Sequence, residues 1–133
     1  MFLISRLYNS ACSNATIPIR IYPIMMSIIF HHYKTLTKNN IVSTAPNKHK
    51  GDNNYNSIIL QKELDKWKTY SDILRKPNRN LLNQMLQSTY KYSNAIDDKG
   101  EQFSTVSLIM SILFEQQYKI KSEIIHLCYS LYF

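Results

Sequence analysis

Hydrophobic residues recur at three- and four-residue steps along three stretches between residues 56 and 126, a spacing typical of amphipathic helices. The first stretch predicts a helix over about residues 57–76, with Asn56 or Ser57 as its N-cap and Pro77 as its stop. We expect this helix to point Trp67 into a core. Its apolar face consists of Leu60, Leu64, Trp67, Ser71 and Leu74.

The second stretch predicts a helix over about residues 79–97, capped by Asn78 or Asn80. An exit turn follows, in which Gly100 is expected to take a positive φ as a left-handed cap. The face of this helix that is expected to be buried carries Leu82, Met85, Leu86, Thr89, Ser93 and Ile96.

The third stretch predicts the longest helix, over about residues 105–126 or beyond, with Ser104 as its N-cap. Its first half, LIMSILF, is apolar nearly all round, so we expect other elements to cover it. In its second half, Glu115 and Lys119 lie four residues apart and are expected to pair on an exposed face. One side of the helix carries Val106, Ile109, Met110, Leu113, Gln117, Ile120 and Ile124.

Short connections between these helices make sequence neighbours antiparallel. The sequence therefore predicts an all-α fold, a three-helix antiparallel bundle within residues 56–133. The final residues, IIHLCYSLYF, are compatible with a continued helix or with an extended strand. Apolar side chains in this region exceed what two short helices can cover, which predicts an apolar interface. Its candidate residues are Phe114, Leu127, Leu131, Tyr132 and Phe133.

Residues 1–55 read as a separate, poorly structured N-terminal extension and linker, basic and with no acidic residue before Asp52. Prolines and an arginine keep its apolar runs shorter than the roughly 18 to 20 residues that a membrane helix needs. Three alternatives stay open for residues 1–33: a targeting segment, a peripheral membrane anchor, or an upstream extension with translation starting at Met25 or Met26.

The net charge of +7 is unevenly distributed. Residues 1–50 hold six basic residues and no acid, whereas from residue 51 onward ten basic residues face nine acidic ones. A preference for polyanions is therefore expected mainly in the N-terminal third.

Catalytic and cofactor motifs are absent from the sequence. Gly51 and Gly100 are its only glycines, which excludes a glycine-rich phosphate loop. Cys12 and Cys128 are its only cysteines, too few for a disulfide framework or a cysteine zinc site. His126 lies two residues before Cys128, a spacing that shares a face only in a strand. We therefore expect a cytoplasmic protein that is not an enzyme and holds no metal or cofactor.

One cluster of charge suits binding. Arg75, Lys76 and Arg79 flank Pro77 at a predicted helix start, where free N–H groups favour anions, so they are a predicted anion or partner contact. The alternative is that these charges stabilise a helix end and solvate the turn. Tyrosines beside Lys91 could similarly stack on bases or simply pack.

The segment ELDKWKTYSDILRKPNRNLLNQMLQ, followed by STVSLIMSILFEQQ, resembles a family of short, uncharacterised helical proteins from archaea. The resemblance spans about residues 58–126 and is carried by Trp67-Lys68, Leu74-Arg75 with Arg79, and Glu115-Gln116-Gln117. It implies an all-helical cytoplasmic protein and supplies no activity.

These patterns favour a small non-enzymatic helical protein that buries apolar surface of its third helix against a copy of itself or a larger subunit. The alternative is an accessory nucleic-acid-binding protein that uses Arg75, Lys76, Arg79 and the basic N-terminal tail. A membrane contact is expected only peripherally, through residues 1–33.

Overall fold

The structure, a computed structural model, describes residues 21–39 and 57–132. All regular elements within these ranges are helical, which confirms the predicted all-α class. The α-helices are Ile21–Lys38 (α1), Ile58–Ile73 (α2), Lys76–Gln87 (α3), Ser93–Lys99 (α4) and Ser104–Tyr132 (α5). Two 3₁₀ turns, Ser88–Tyr92 and Glu101–Phe103, join α3 to α4 and α4 to α5.

The first predicted helix is confirmed as α2. The side chain of Ser57 accepts a hydrogen bond from the backbone N–H of Leu60 at 3.0 Å, as an N-cap does. The chain leaves the helix at Leu74, three residues before Pro77. Leu60, Trp67 and Leu74 are buried as expected.

The second predicted helix is α3, a 3₁₀ turn and α4 in succession. The expected caps Asn78 and Asn80 are wrong, because α3 begins at Lys76 and takes Pro77 into its first turn. Proline is tolerated there, since N–H groups of the first turn have no partner within the helix. The predicted buried face is confirmed, and Gly100 does take a positive φ of 82°.

A fourth helical segment corrects the three-helix prediction. Residues 21–38, expected to be poorly structured, form α1 and pack into the core shared by the other helices. Pro23 does not break this helix because it lies in the first turn. The other residues of the predicted extension and linker lie outside the described ranges. The buried apolar side chains of α1 are Met26, Ile29, Phe30 and Tyr33.

Aromatic side chains join α1 and α2. Trp67 and Tyr70 are fully buried and meet edge to face, with ring centroids 5.8 Å apart. The hydroxyl of Tyr70 forms a 2.9 Å hydrogen bond with that of Ser27, which donates to the carbonyl of Pro23 at 2.7 Å. Each buried hydroxyl is therefore hydrogen-bonded while the rings contribute apolar packing.

Helix α5 is 29 residues long and continues as helix through Tyr132, so its tail is not a strand. Ser104 is not its cap, since it follows the 3₁₀ turn and donates its hydroxyl to the Glu63 carboxylate at 2.8 Å. The side of α5 that packs on the bundle is also not the most apolar one. Its buried residues are Ser104, Leu108, Ile109, Ser111, Ile112, Glu115 and Gln116.

Candidate protein-interaction surface

The C-terminal half of α5 extends past the bundle. Gln116 is the last buried residue on this helix, and every described residue from Gln117 to Tyr132 is exposed or partly exposed. We call residues 117–132 the overhang. At a rise of 1.5 Å per residue the overhang is roughly 24 Å long. Beyond Gln117 and Ile120, which border α1, its side chains are mostly exposed, so the overhang is a surface available for binding.

In the overhang, the side of the helix that continues the buried face of α5 carries polar residues. Residues spaced three or four apart share a helix face, so the buried line through Leu108, Ile112 and Glu115 leads next to Lys119. Lys119 forms an ion pair with Glu115, with Nζ and Oε1 3.6 Å apart. This side of the overhang is not built to pack on an apolar core. It carries Lys119, Ser122, Glu123, His126 and Ser130.

A different side of α5, bordering the buried face, carries a line of apolar residues, which we call the outer stripe. The sequence predicts that most of these side chains up to Ile124 face a core, and the structure shows them exposed or partly exposed. Met110 is 60% exposed, Leu127 is 59% exposed and Leu131 is 86% exposed. The outer stripe consists of Val106, Met110, Leu113, Gln117, Ile120, Ile124, Leu127 and Leu131.

The predicted interface residues divide between two faces. Leu127 and Leu131 lie on the outer stripe, while Phe114 and Tyr132 lie on the neighbouring face of α5. Phe114 is exposed and its ring meets that of Tyr92 edge to face at 5.7 Å. Phe133 is outside the described residues. Sequence reasoning did not single out the outer stripe as an exposed surface.

A groove borders the outer stripe where α1 runs beside α5. Its volume is about 520 Å³. A hydrogen bond at this groove holds α1 against α5: the side-chain amide of Gln116 donates to the backbone carbonyl of Ile29 at 3.3 Å. Helix α1 forms one wall, and the middle of the outer stripe forms the other. The groove is lined by His31, His32, Thr35, Leu36, Leu113, Gln116, Gln117 and Ile120.

A buried carboxylate fixes α5 to the segment before α4. Glu115 accepts from Lys91 Nζ and from the hydroxyl of Tyr92, both at 2.9 Å. Burial raises the pKa of Glu115, but the hydrogen bonds from Lys91 and Tyr92 outweigh it and hold the pKa below its ordinary value. The predicted pair of Glu115 with Lys119 is present, but Glu115 is buried, so its expected placement on an exposed face is wrong.

Two tyrosines near the Glu115 carboxylate have raised pKa values. Burial and the hydrogen bond to Glu115 raise the pKa of Tyr92 to about 12. Burial, followed by the charge of Glu115, raises the pKa of Tyr33. Both groups stay neutral over the physiological range. They therefore act as hydrogen-bonding and packing groups that hold the base of the overhang.

Stability is expected to depend on Tyr92 at alkaline pH. A folded-state pKa of about 12 against an ordinary 10.0 means that Tyr92 stabilises the fold below pH 10. That contribution is lost as the pH rises from 10 to about 12. Urea unfolding across this window should show a steeper loss for the wild type than for Tyr92→Phe.

Tyr129→Phe, on the exposed overhang, is the control for this experiment. It should follow the wild-type profile. If the wild type and Tyr92→Phe lose stability equally with rising pH, the hydrogen bond to Glu115 does not govern alkaline stability.

Glu115 affects stability on the acid side. Because its pKa is lowered in the folded state, its contribution to the free energy of unfolding is present above its unfolded pKa and is lost as the pH falls through the folded value.

A second buried carboxylate is fully satisfied. Glu63 accepts from the indole N–H of Trp67 at 3.1 Å, the hydroxyl of Ser104 at 2.8 Å and Lys66 Nζ at 3.0 Å. These bonds connect α2 with the start of α5. Sequence reasoning missed Glu63, although its position four residues before Trp67 places both on one helix face. Its oxygens are engaged in holding the fold.

Arg79 is engaged with backbone, while its predicted companions are exposed. Its guanidinium donates to the carbonyls of Ser71 at 3.3 Å, Leu74 at 3.4 Å and Asp72. These carbonyls lie at the C-terminal end of α2, where that of Ser71 also accepts from the N–H of Leu74, so the arginine stabilises that terminus. Arg75 and Lys76 project into solvent beside it. An anion or nucleic-acid contact at these three residues stays a prediction.

The residues described by the structure contain no group of three or more His, Cys, Asp or Glu side chains placed to hold a metal ion. His126 and Cys128 lie on a helix and so point in different directions, which removes the geometry their strand spacing required. None of the helices in the described ranges is long and apolar enough to cross a membrane.

Comparison with protein-family models, curated proteins and solved structures found no match to this chain. The resemblance to archaeal helical proteins therefore stays a prediction. The described residues define an all-helical chain with a long helix that offers an apolar surface beyond its own bundle.

Proposed function

We propose that this protein is a non-enzymatic helical interaction protein or accessory subunit that binds a protein partner through α5. The observation that carries the proposal is the exposure of Leu127 and Leu131 on the overhang, 59% and 86% respectively. Fully burying a leucine side chain contributes about 1.5–3 kcal/mol, so covering the outer stripe supplies substantial binding energy. Contiguous apolar surface of this kind is characteristic of interaction sites.

The polar side of the overhang supports the same proposal. Lys119, Glu123 and His126 lie where an intramolecular core contact would continue, so they keep that side hydrated while the outer stripe remains apolar. The surface is thus apolar on one side and polar on another, which defines how a partner is oriented. The groove beside α1 gives that partner a wall to pack against.

Photo-crosslinking tests this proposal directly. A benzophenone amino acid in place of Leu131, introduced into the full chain and irradiated in an extract of its native cells, should join the chain to a protein. The same probe in place of Lys68, exposed on α2, is the matched control and should give no such product. Equal crosslinking from both positions, or none from Leu131, would remove the proposal.

A further inference from the structure

The outer stripe follows a heptad repeat without interruption. Its members alternate at spacings of four and three residues from Val106 to Leu131. In coiled-coil notation Met110, Gln117, Ile124 and Leu131 occupy the a positions, and Val106, Leu113, Ile120 and Leu127 occupy the d positions. A repeat of 3.5 residues, sustained over this length, is the pattern by which one helix pairs with another.

The stripe is available for such pairing in the described structure. Most of the bundle packs on another side of α5, through residues such as Leu108 and Ile112, and α1 flanks the middle of the stripe across the groove. Most of the heptad positions are exposed, from Val106 at one end to Leu131 at the other. The repeat is therefore not explained by packing among the described helices.

Gln117 restricts which partner helix can pair with the outer stripe. It is the one polar side chain on the stripe, and pairing would bury its amide. A buried amide that faces an apolar side chain costs the hydrogen bonds it made with water, whereas two facing amides bond each other. A single polar residue at an a position specifies register for this reason.

The orientation follows from the same residue. In an antiparallel pair each a position faces a d position, and all four d residues of the stripe are apolar. Every antiparallel register in which Gln117 has a facing residue therefore sets it against an apolar side chain, and a register that leaves Gln117 outside the pair uses only the four layers from Ile120 to Leu131. A parallel pair in register sets Gln117 against Gln117 of the second copy and leaves every other layer apolar.

Charges beside the stripe agree with this choice. Lys121 and Glu123 occupy flanking e and g positions. The antiparallel register that sets Ile124 against Ile120 of the second copy brings lysine beside lysine and glutamate beside glutamate. Parallel pairing sets Glu123 against Cys128 and Lys121 against Gln116 of the second copy, so no like-charged residues meet.

We propose that α5 pairs with α5 of a second copy of this chain as a parallel, in-register coiled coil, with the two Gln117 side chains facing each other. This rests on the proposed function, that the outer stripe binds protein, and identifies the partner. The second copy supplies both the matching heptads and the polar residue in the same layer.

Sedimentation equilibrium on the full chain tests the partner. The wild type should be a dimer, and Ile124→Glu with Leu131→Glu should halve its mass by placing charge in two core layers. Ile125→Glu with Tyr129→Glu is the matched control, since these exposed residues lie outside the stripe on the same overhang. The control should remain a dimer, and circular dichroism should show unchanged helix content for both variants.

Disulfide trapping tests the orientation. In a Cys12→Ser, Cys128→Ser background, Leu127→Cys should form a linked dimer, because parallel pairing brings the two d positions within disulfide range. A mixture of Leu113→Cys chains with Leu131→Cys chains should give no mixed product. A mixed disulfide would overturn the parallel arrangement, since it needs antiparallel helices.

The role of the Gln117 layer is tested by the oligomeric state of a variant. Gln117→Leu should convert the single dimeric species into a mixture of oligomers, because the register is then no longer specified. A pure, unchanged dimer would refute the role of Gln117.

The outcomes separate this inference from the proposed function. A monomeric wild type whose residue-131 probe joins a different protein overturns self-pairing and leaves the proposed function standing. A monomer in which that probe joins only residues 1–20 or 40–56 of the same chain overturns both, since the stripe is then covered from within.

Discussion

Trp67→Ala is expected to lower the free energy of unfolding by about 3–5 kcal/mol, the usual cost of removing a large buried aromatic side chain. Trp67 is fully buried at the junction of α2 with its neighbours and packs edge to face on Tyr70. Its indole N–H also donates to the buried carboxylate of Glu63 at 3.1 Å. Alanine therefore leaves both a cavity and a carboxylate that has lost one donor.

Urea unfolding followed by circular dichroism measures this loss. Trp67→Phe separates the two contributions, because it keeps an aromatic ring and removes the donor, and its cost should be smaller than that of alanine. Ile58→Ala, an exposed position on the same helix, is the control and should stay within about 0.5 kcal/mol of the wild type. An unchanged midpoint for Trp67→Ala would place this side chain at the surface.

The sequence was sufficient to predict the helices around Trp67 because their faces are unambiguous. On α2 and on the α3–α4 segment, apolar residues recur along one side and the charged residues other than Glu63 lie on the other, so periodicity alone identifies the buried face. Ser57 is likewise a conventional N-cap with a local hydrogen bond. Helix periodicity and N-caps depend on residues that are close together in sequence, so both can be predicted from the sequence alone.

Helix α5 could not be oriented in the same way. Its outer stripe is more apolar than the side that packs on the bundle, which holds Ser104, Glu115 and Gln116. Those polar groups are buried because α1, α2 and the segment before α4 supply their hydrogen-bond partners, which lie far away in sequence. The hydrophobic pattern therefore predicted the outer stripe to be core. The contacts that distinguish the outer stripe from the packed side of α5 are tertiary contacts.

Helix α1 was missed for a different reason. Pro23 suggested an interrupted segment, yet a proline in the first turn of a helix removes no hydrogen bond. The acid-free composition of residues 1–50 also suggested a targeting or dispensable extension. What places α1 in the fold is its packing against distant residues, including the hydrogen bond between Ser27 and Tyr70.

Phe30→Ala should accordingly be as damaging as a change in the centre of the bundle. Phe30 is fully buried on α1, in the same core as Trp67 and Leu108. Removing a buried phenylalanine costs about 3–5 kcal/mol, a large part of the 5–15 kcal/mol that stabilises a typical domain. Thermal and urea unfolding should both show the loss, and the midpoint for the whole chain should shift because α1 shares its core with the other helices.

Met25→Ala is the matched control, since Met25 is exposed on the same helix and its truncation should change stability by no more than about 0.5 kcal/mol. The pair separates burial from helix propensity, because both variants place alanine in α1, where alanine favours helix. If Phe30→Ala and Met25→Ala unfold alike, α1 does not contribute to the core in solution. The bundle would then consist of α2 to α5 alone, and the groove bordering the outer stripe would lose its α1 wall.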